Sequence, residues 1–137
     1  MQIGLAGWAI NGRFRDEAAP LPVLEFPRVA REEFDIGLIE LNSVFLASHD
    51  DDYLAQLVTN ARNHGVEMLG MAVDRTGNLS ALDADERAQA VSNALEYFDV
   101  SEKLGLDYFR VNTGGSADGS PEMLAACIDS YQQLAAE

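Results

Sequence analysis

The sequence predicts an α/β domain built on a parallel sheet, and three observations predict it. Short apolar segments alternate with longer amphipathic ones through the whole chain, two of the amphipathic segments stop at glycines, and no helix-only or strand-only region breaks the alternation. The apolar segments recur at roughly 30 to 40 residues, the length that a strand, a crossover helix and the next strand require. Strands joined through helices need right-handed crossovers, which makes them parallel and covers them with the helices. The order is βαβαβαβα. Two architectures satisfy it, an open doubly wound sheet or a segment of a (β/α)₈ barrel.

Each element has its own justification. Gln2–Ile10 (QIGLAGWAI) reads as a short apolar strand punctuated by glycine. A loop with Pro20 and Pro22 leads to a helical pattern over Leu24–Phe34, whose early part Pro27 disturbs by removing an N–H. Ile36–Leu41 (IGLIEL) is the second strand. In the helix that follows, ASHDDDYLAQLVTNARNHG, Leu54, Leu57, Val58 and Ala61 share one face, aspartates crowd the first turn where the helix dipole favours them, and Gly65 closes the end. Val66–Val73 (VEMLGMAV) is the third strand. Asp83 and Glu86 have capping-box spacing and open a long helix to Leu104, with Ala90, Ala94, Tyr97 and Phe98 among its apolar positions and Gly105 as its stop. A fourth strand, Tyr108–Asn112, runs into Gly114 and Gly115; Ser120 and Pro121 then suit the N-cap and first position of a last helix through Ala135. Residues 1–137 contain no linker or low-complexity tract and read as one domain.

Composition narrows the function classes. The chain carries 23 acidic and 9 basic residues, a net charge of −14, and Lys103 is its only lysine. Such a field repels phosphate backbones, so nucleic acid is not an expected partner. Acid-rich, lysine-poor surfaces suit high salt, where screening relieves self-repulsion, and a halophilic source follows as a hypothesis. No stretch approaches the roughly 18 apolar residues of a membrane span, and the N-terminus lacks a basic region and a cleavage site. The expectation is a cytoplasmic protein without a membrane partner. Cys127 is the only cysteine; in the apolar run MLAACI it is expected to be a core residue.

Glycine motifs were candidates for nucleotide binding. Gly4, Gly7 and Gly12 have the wrong spacing for a dinucleotide fingerprint, and no phosphate-loop motif with its lysine occurs. Gly114 and Gly115 ahead of a helix could hold an anion through backbone N–H groups. The simpler reading is a loop that needs left-handed dihedrals.

Taken together and in order, IGLAGWAI, IGLIELN, NHGVEMLGMA and EKLGLDYFRVNTGG resemble the opening half of the sugar phosphate isomerase/epimerase family, the xylose isomerase-like TIM barrels that also include endonuclease IV-type enzymes. The resemblance covers essentially the whole chain. Its most specific parts are Glu40 in IEL, the phrase ARNHGVEM, and LGLDYFRVNTGG with its Arg and glycine pair. It implies a parallel (βα)₄ half of a TIM barrel, with Gly114 and Gly115 closing the fourth of eight strands. It also implies isomerase or epimerase chemistry on a sugar or polyol, with a divalent metal such as Mn, Mg or Zn. In the family the metal-binding acids and histidine come mainly from the fifth to eighth strands, so the resemblance assigns none of them here. The first-half histidines of the endonuclease branch have no counterpart, which with the charge disfavours DNA repair.

Barrel active sites form at the C-terminal ends of strands. Alternation puts Leu38, Glu40 and Asn42 on one face of the second strand, and Tyr108, Arg110 and Asn112 on one face of the fourth. One reading has Asn42, Arg110 and Asn112 line a polyol pocket with Trp8 as a wall, and Glu40 and Asp74 as candidate catalytic acids. The plainer reading has Glu40 and Arg110 neutralise each other inside the barrel. His49, beside Asp50, Asp51 and Asp52, is a metal candidate, although acids in that position more often start a helix. His64 before Gly65 suits a helix C-terminus and a structural role.

Half a barrel has two open edges and an unfilled inner face. A homodimer, or a higher oligomer, that rebuilds eight strands is the expected remedy. Whether the chain is catalytic therefore stays open, against a self-associating scaffold or a fragment of a longer protein.

Overall fold

The computed structural model describes residues 2–115 and 119–137. Four parallel strands, β1 (Leu5–Ala6), β2 (Leu38–Asn42), β3 (Glu67–Val73) and β4 (Tyr108–Val111), form one sheet in the order β1-β2-β3-β4. The helices between and after them are α1 (Asn11–Phe14), α2 (Phe26–Phe34), α3 (Asp51–Asn63), α4 (Ala84–Leu104) and α5 (Pro121–Leu134). The predicted (βα)₄ order is the observed one.

The first strand is much shorter than the sequence suggests. After Ala6 the chain turns into a 3₁₀ segment, Gly7–Ile10, and then into α1, which periodicity did not predict. The Asn11 side chain donates to the Trp8 carbonyl at 2.7 Å, a local bond that competes with further strand pairing. The second helix begins at Phe26 rather than Leu24, with Val23–Glu25 in a 3₁₀ turn. Pro27 sits in its first turn, where a missing N–H costs nothing.

Contacts group the chain into two compact units, one of Met1–Ala72 with Val100–Arg110 and the other of Val73–Asp99 with Val111–Glu137. The first unit carries nearly all of the sheet. Ile39 and Leu41 of β2 are buried, as are Phe26, Val29 and Ala30 of α2 and Leu54 and Leu57 of α3. Their partners across the pleat, Leu38 and Glu40, are only half-buried, so β2 has one covered and one open face. β3 keeps step through an irregularity: Ile39 pairs with Met68 but Glu40 with Gly70, which skips Leu69 and returns Met71 to the buried side opposite Leu41. Gly70 is required there. A Cβ on it would lie 2.6 Å from the Tyr108 ring and 2.7 Å from the Tyr108 carbonyl oxygen. The Arg31 side chain donates to the carbonyls of His64 and Gly65, tying α2 to the end of α3, and His64 lies at that helix's C-cap as expected.

In the second unit Asp83 caps α4 by accepting from the N–H groups of Asp85 and Glu86 at 3.0 and 2.9 Å. Ser120 caps α5 by accepting from the Met123 N–H at 3.3 Å, with Pro121 behind it. Cys127, Val91, Ala94 and Leu134 are buried, and Ser130 donates its hydroxyl to the Leu79 carbonyl at 2.8 Å. Gly114 and Gly115 have φ of +69° and +75°. A Cβ on Gly114 would meet the Asn78 backbone at 2.7 Å, so the pair serves the loop as the simpler reading held. Among the described residues no helix is long and apolar enough to cross a membrane.

Candidate functional site

The C-terminal ends of β1 and β2, both in the first unit, gather the chain's most unusual polar and aromatic groups. Asn42 is the last residue of β2 and is 3 % exposed, yet neither its amide nitrogen nor its carbonyl oxygen has a hydrogen-bond partner among the described residues. Buried polar groups are almost always paired, and an exception calls for a reason. Its position is set by Gly7, whose missing side chain makes the room: a Cβ there would stand 2.6 Å from Asn42 Oδ1 and 3.6 Å from the Phe14 ring.

An aromatic wall stands beside this amide. Trp8 and Phe45 meet edge to face at 5.5 Å, Phe45 stacks on Phe14 at 4.6 Å, and Phe14 meets Phe26 edge to face at 5.4 Å. Trp8 and Phe45 come from the turns that directly follow β1 and β2. Trp8 keeps 37 % of its surface exposed, an apolar face that solvent touches. The Arg15 guanidinium lies 4.7 Å from the Trp8 ring centre and 5.5 Å from that of Phe45.

Glu40 lies on the open face of β2, half-buried, and makes no hydrogen bond or ion pair to any described residue, Arg110 included. The expected Glu40–Arg110 neutralisation is absent for a reason of register. Tyr108, two residues before Arg110, lies against Gly70, which pairs with Glu40, so Arg110 projects from a later level of the sheet. Arg110 is exposed. His49 is also exposed. Asp50 occupies the N-cap of α3 with Asp51 and Asp52 in its first turn, and Asp51 pairs with Lys103 at 2.7 Å, so these acids start a helix.

In the second unit, Asp74 and Asn112 come together: the Asn112 amide donates to Asp74 Oδ1 at 2.8 Å. This pairs a candidate acid with a candidate binding residue, just beyond the ends of β3 and β4.

No family model matches the sequence, and no curated protein is significantly similar to it. Solved structures match in fold. A Rhodospirillum rubrum protein assigned as a xylose isomerase superposes with a TM-score of 0.77 at 14% identity, over 99% of this chain and 49% of the other. D-psicose 3-epimerase from Clostridium cellulolyticum, solved with D-tagatose, gives 0.76 at 15% identity over 99% and 48%. The Escherichia coli 3-keto-D-glucoside 4-epimerase gives 0.67 at 13% identity over 98% and 50%. The chain has the fold of half a xylose isomerase-like TIM barrel. It spans about half the length of the structures it matches, the share that an N-terminal half would cover.

The barrel fold makes the ends of β1 to β4 the place to look for chemistry. It also raises the question of a divalent metal. Among the described residues no three His, Cys, Asp or Glu side chains converge as a ligand set would, so the residues described here do not fit a metal on their own. Of the cluster at the ends of β1 and β2, Trp8 and Asn42 are expected from the sequence, and Phe14, Arg15 and Phe45 are not. Those three lie in RFR and NSVFL, segments whose spacing carries no period, and only the turns after β1 and β2 bring them together.

Proposed function

We propose that this half-barrel provides the substrate-binding half of an isomerase or epimerase acting on a sugar or polyol. The observation that carries the reading is Asn42, a buried amide with an unused donor and an unused acceptor beside an aromatic wall at the catalytic end of the strands. Carbohydrate hydroxyls need both a donor and an acceptor, and the apolar faces of sugar rings pack on aromatic side chains, so the two features suit one ligand class. The fold likeness to sugar epimerases supports the same class. Glu40, on the open face and without a described partner, and Asp74, held by Asn112, are the chain's candidate bases for removing a proton next to a carbonyl. Arg110, in the same unit as Trp8 and Asn42, is the further proposed polar residue there, and Asn112 is the proposed binding residue beside Asp74 in the second unit.

Trp8 is the only tryptophan, so its emission reports on this site alone. A saturable change on titration with D-fructose or myo-inositol, weakened about tenfold in Asn42→Ala, is the expected result. Absence of any saturable response to either sugar, by emission and by calorimetry, would remove the reading.

A second reading, self-association, rests on the sheet's two edges, β1 and β4, and on the exposed inner-face residue Tyr108. Two copies related by a twofold axis would pair these edges and restore eight strands, so that each copy completes the other's site. Light scattering coupled to size exclusion, at low and high salt with metal analysis on the same peak, tests it. A discrete dimer is expected, and a well-folded monomer at micromolar concentration would refute it.

A further inference from the structure

The acidic side chains single out Glu40. Among the described residues Glu25, Glu40 and Asp74 are the half-buried acids, and the others are exposed. Glu25 accepts from Arg28 at 2.7 Å, and Asp74 accepts from the Asn112 amide at 2.8 Å. Glu40 accepts from no described residue. Its neighbours in the sheet give the reason: Ala6 pairs with it from β1 and Gly70 from β3, and neither side chain carries a donor or a charge. The room over Gly70 is taken by Tyr108, whose ring atoms Cε2 and Cζ come within 2.7 Å of the place where a Cβ would stand. Tyr108 keeps 48 % of its surface exposed. Ala6 leads directly into Gly7 and Trp8, and Glu40, Tyr108, Asn42 and the aromatic wall all belong to the first unit.

We propose that the sugar or polyol bound at this site is an amino sugar, and that Glu40 and the Tyr108 ring hold its protonated amine. A carboxylate partly withdrawn from water and without a counter-charge is costly, and an ammonium group supplies both the charge and the N–H donors that it lacks. An aromatic ring face attracts the same cation. A net charge of −14 draws cations towards the protein and repels anions, so the chain's overall field assists this ligand. The Asn42 amide and the Trp8 wall serve the hydroxyls and the ring face of the same molecule. Glu40 in this assignment binds the amine and does not remove a proton. The inference rests on the carbohydrate reading above for the rest of the ligand.

The test is a set of calorimetric and Trp8 emission titrations at pH 6, where a sugar amine is protonated, on the wild-type chain, Glu40→Gln and Glu40→Asp. The probes are D-fructose and D-fructosamine, D-glucose and D-glucosamine, N-acetyl-D-glucosamine as the uncharged amide, and ethanolamine as an amine without a sugar. Expected is binding of an amino sugar at least about tenfold tighter than its neutral counterpart and than the acetylated sugar. That ratio should fall to about one in Glu40→Gln, which keeps the shape of the side chain, and be partly kept in Glu40→Asp, which keeps its charge. Equal affinity for amino and neutral sugars, an acetylated sugar that binds as tightly as the amine, or a ratio unchanged in Glu40→Gln overturns the inference and leaves the carbohydrate reading intact. A Glu40-dependent response to ethanolamine as strong as that to the amino sugars, with none to D-fructose or D-glucose, removes the carbohydrate reading and the amino sugar with it. No response to any probe overturns both.

Discussion

Replacing Asn42 by Leu should make the protein more stable. Its side chain is 3 % exposed and both polar atoms lack a partner among the described residues. Leaving a buried donor or acceptor unsatisfied costs about 1–3 kcal/mol, whereas an apolar group of similar shape carries no such cost. Leu is somewhat larger than Asn, and overpacking against Gly7 and Phe14 takes back part of the gain. A net stabilisation of about 1–2 kcal/mol is expected. For a chain of this length 1 kcal/mol corresponds to roughly 3–5 °C in Tm, so the variant should melt about 3–10 °C higher. Asn42→Ala removes the same polar atoms without adding volume and should be close to neutral. The assay is thermal and urea denaturation of wild type and both variants, with sugar binding measured alongside. If both variants lose more than about 1 kcal/mol, the amide is satisfied in the folded protein and the argument from its unpaired state fails. Gain of stability with loss of binding is the signature of a residue kept for function at a cost to the fold.

Three further outcomes follow from the packing and the charges. Gly70→Ala should destabilise by about 1–3 kcal/mol, because its Cβ meets both the Tyr108 ring and the Tyr108 carbonyl; adding Tyr108→Ala should recover only part of this in urea denaturation, since the carbonyl contact remains. Ser120→Ala removes the acceptor for the Met123 N–H and should cost about 1 kcal/mol, whereas Ser120→Asp should keep most of the stability. The Arg13 guanidinium holds the Glu33 carboxyl below the usual carboxylate value, and the Ser120 hydroxyl does the same for Glu122. For a lowered carboxyl the stabilisation is full above the unfolded value and lost as pH falls through the folded one. Glu33→Gln with Glu122→Gln should therefore differ from wild type in urea midpoint at pH 6 and converge with it near pH 3. A difference that stays constant across that range would contradict the assignment.

The sequence by itself determined the order of the four strands and of the helices α2 to α5, though not α1. Its apolar segments, the Asp83 and Ser120 caps and the glycine stops act within a few residues of themselves, and such local signals survive without any partner. They also placed Cys127 in the core and assigned the glycine pair to a loop. What only the tertiary structure decided is how residues distant in the chain meet. The β3 irregularity at Leu69 depends on keeping Met71 in register with Leu41, and the separation of Glu40 from Arg110 on the level at which Tyr108 meets Gly70. The candidate site is of this second kind. Asn42 in the sequence is one polar residue ending a strand. It becomes a buried amide without a described partner only when Gly7 admits it and Phe14 packs on the same glycine, because burial and hydrogen-bond satisfaction are properties of packing rather than of the local chain.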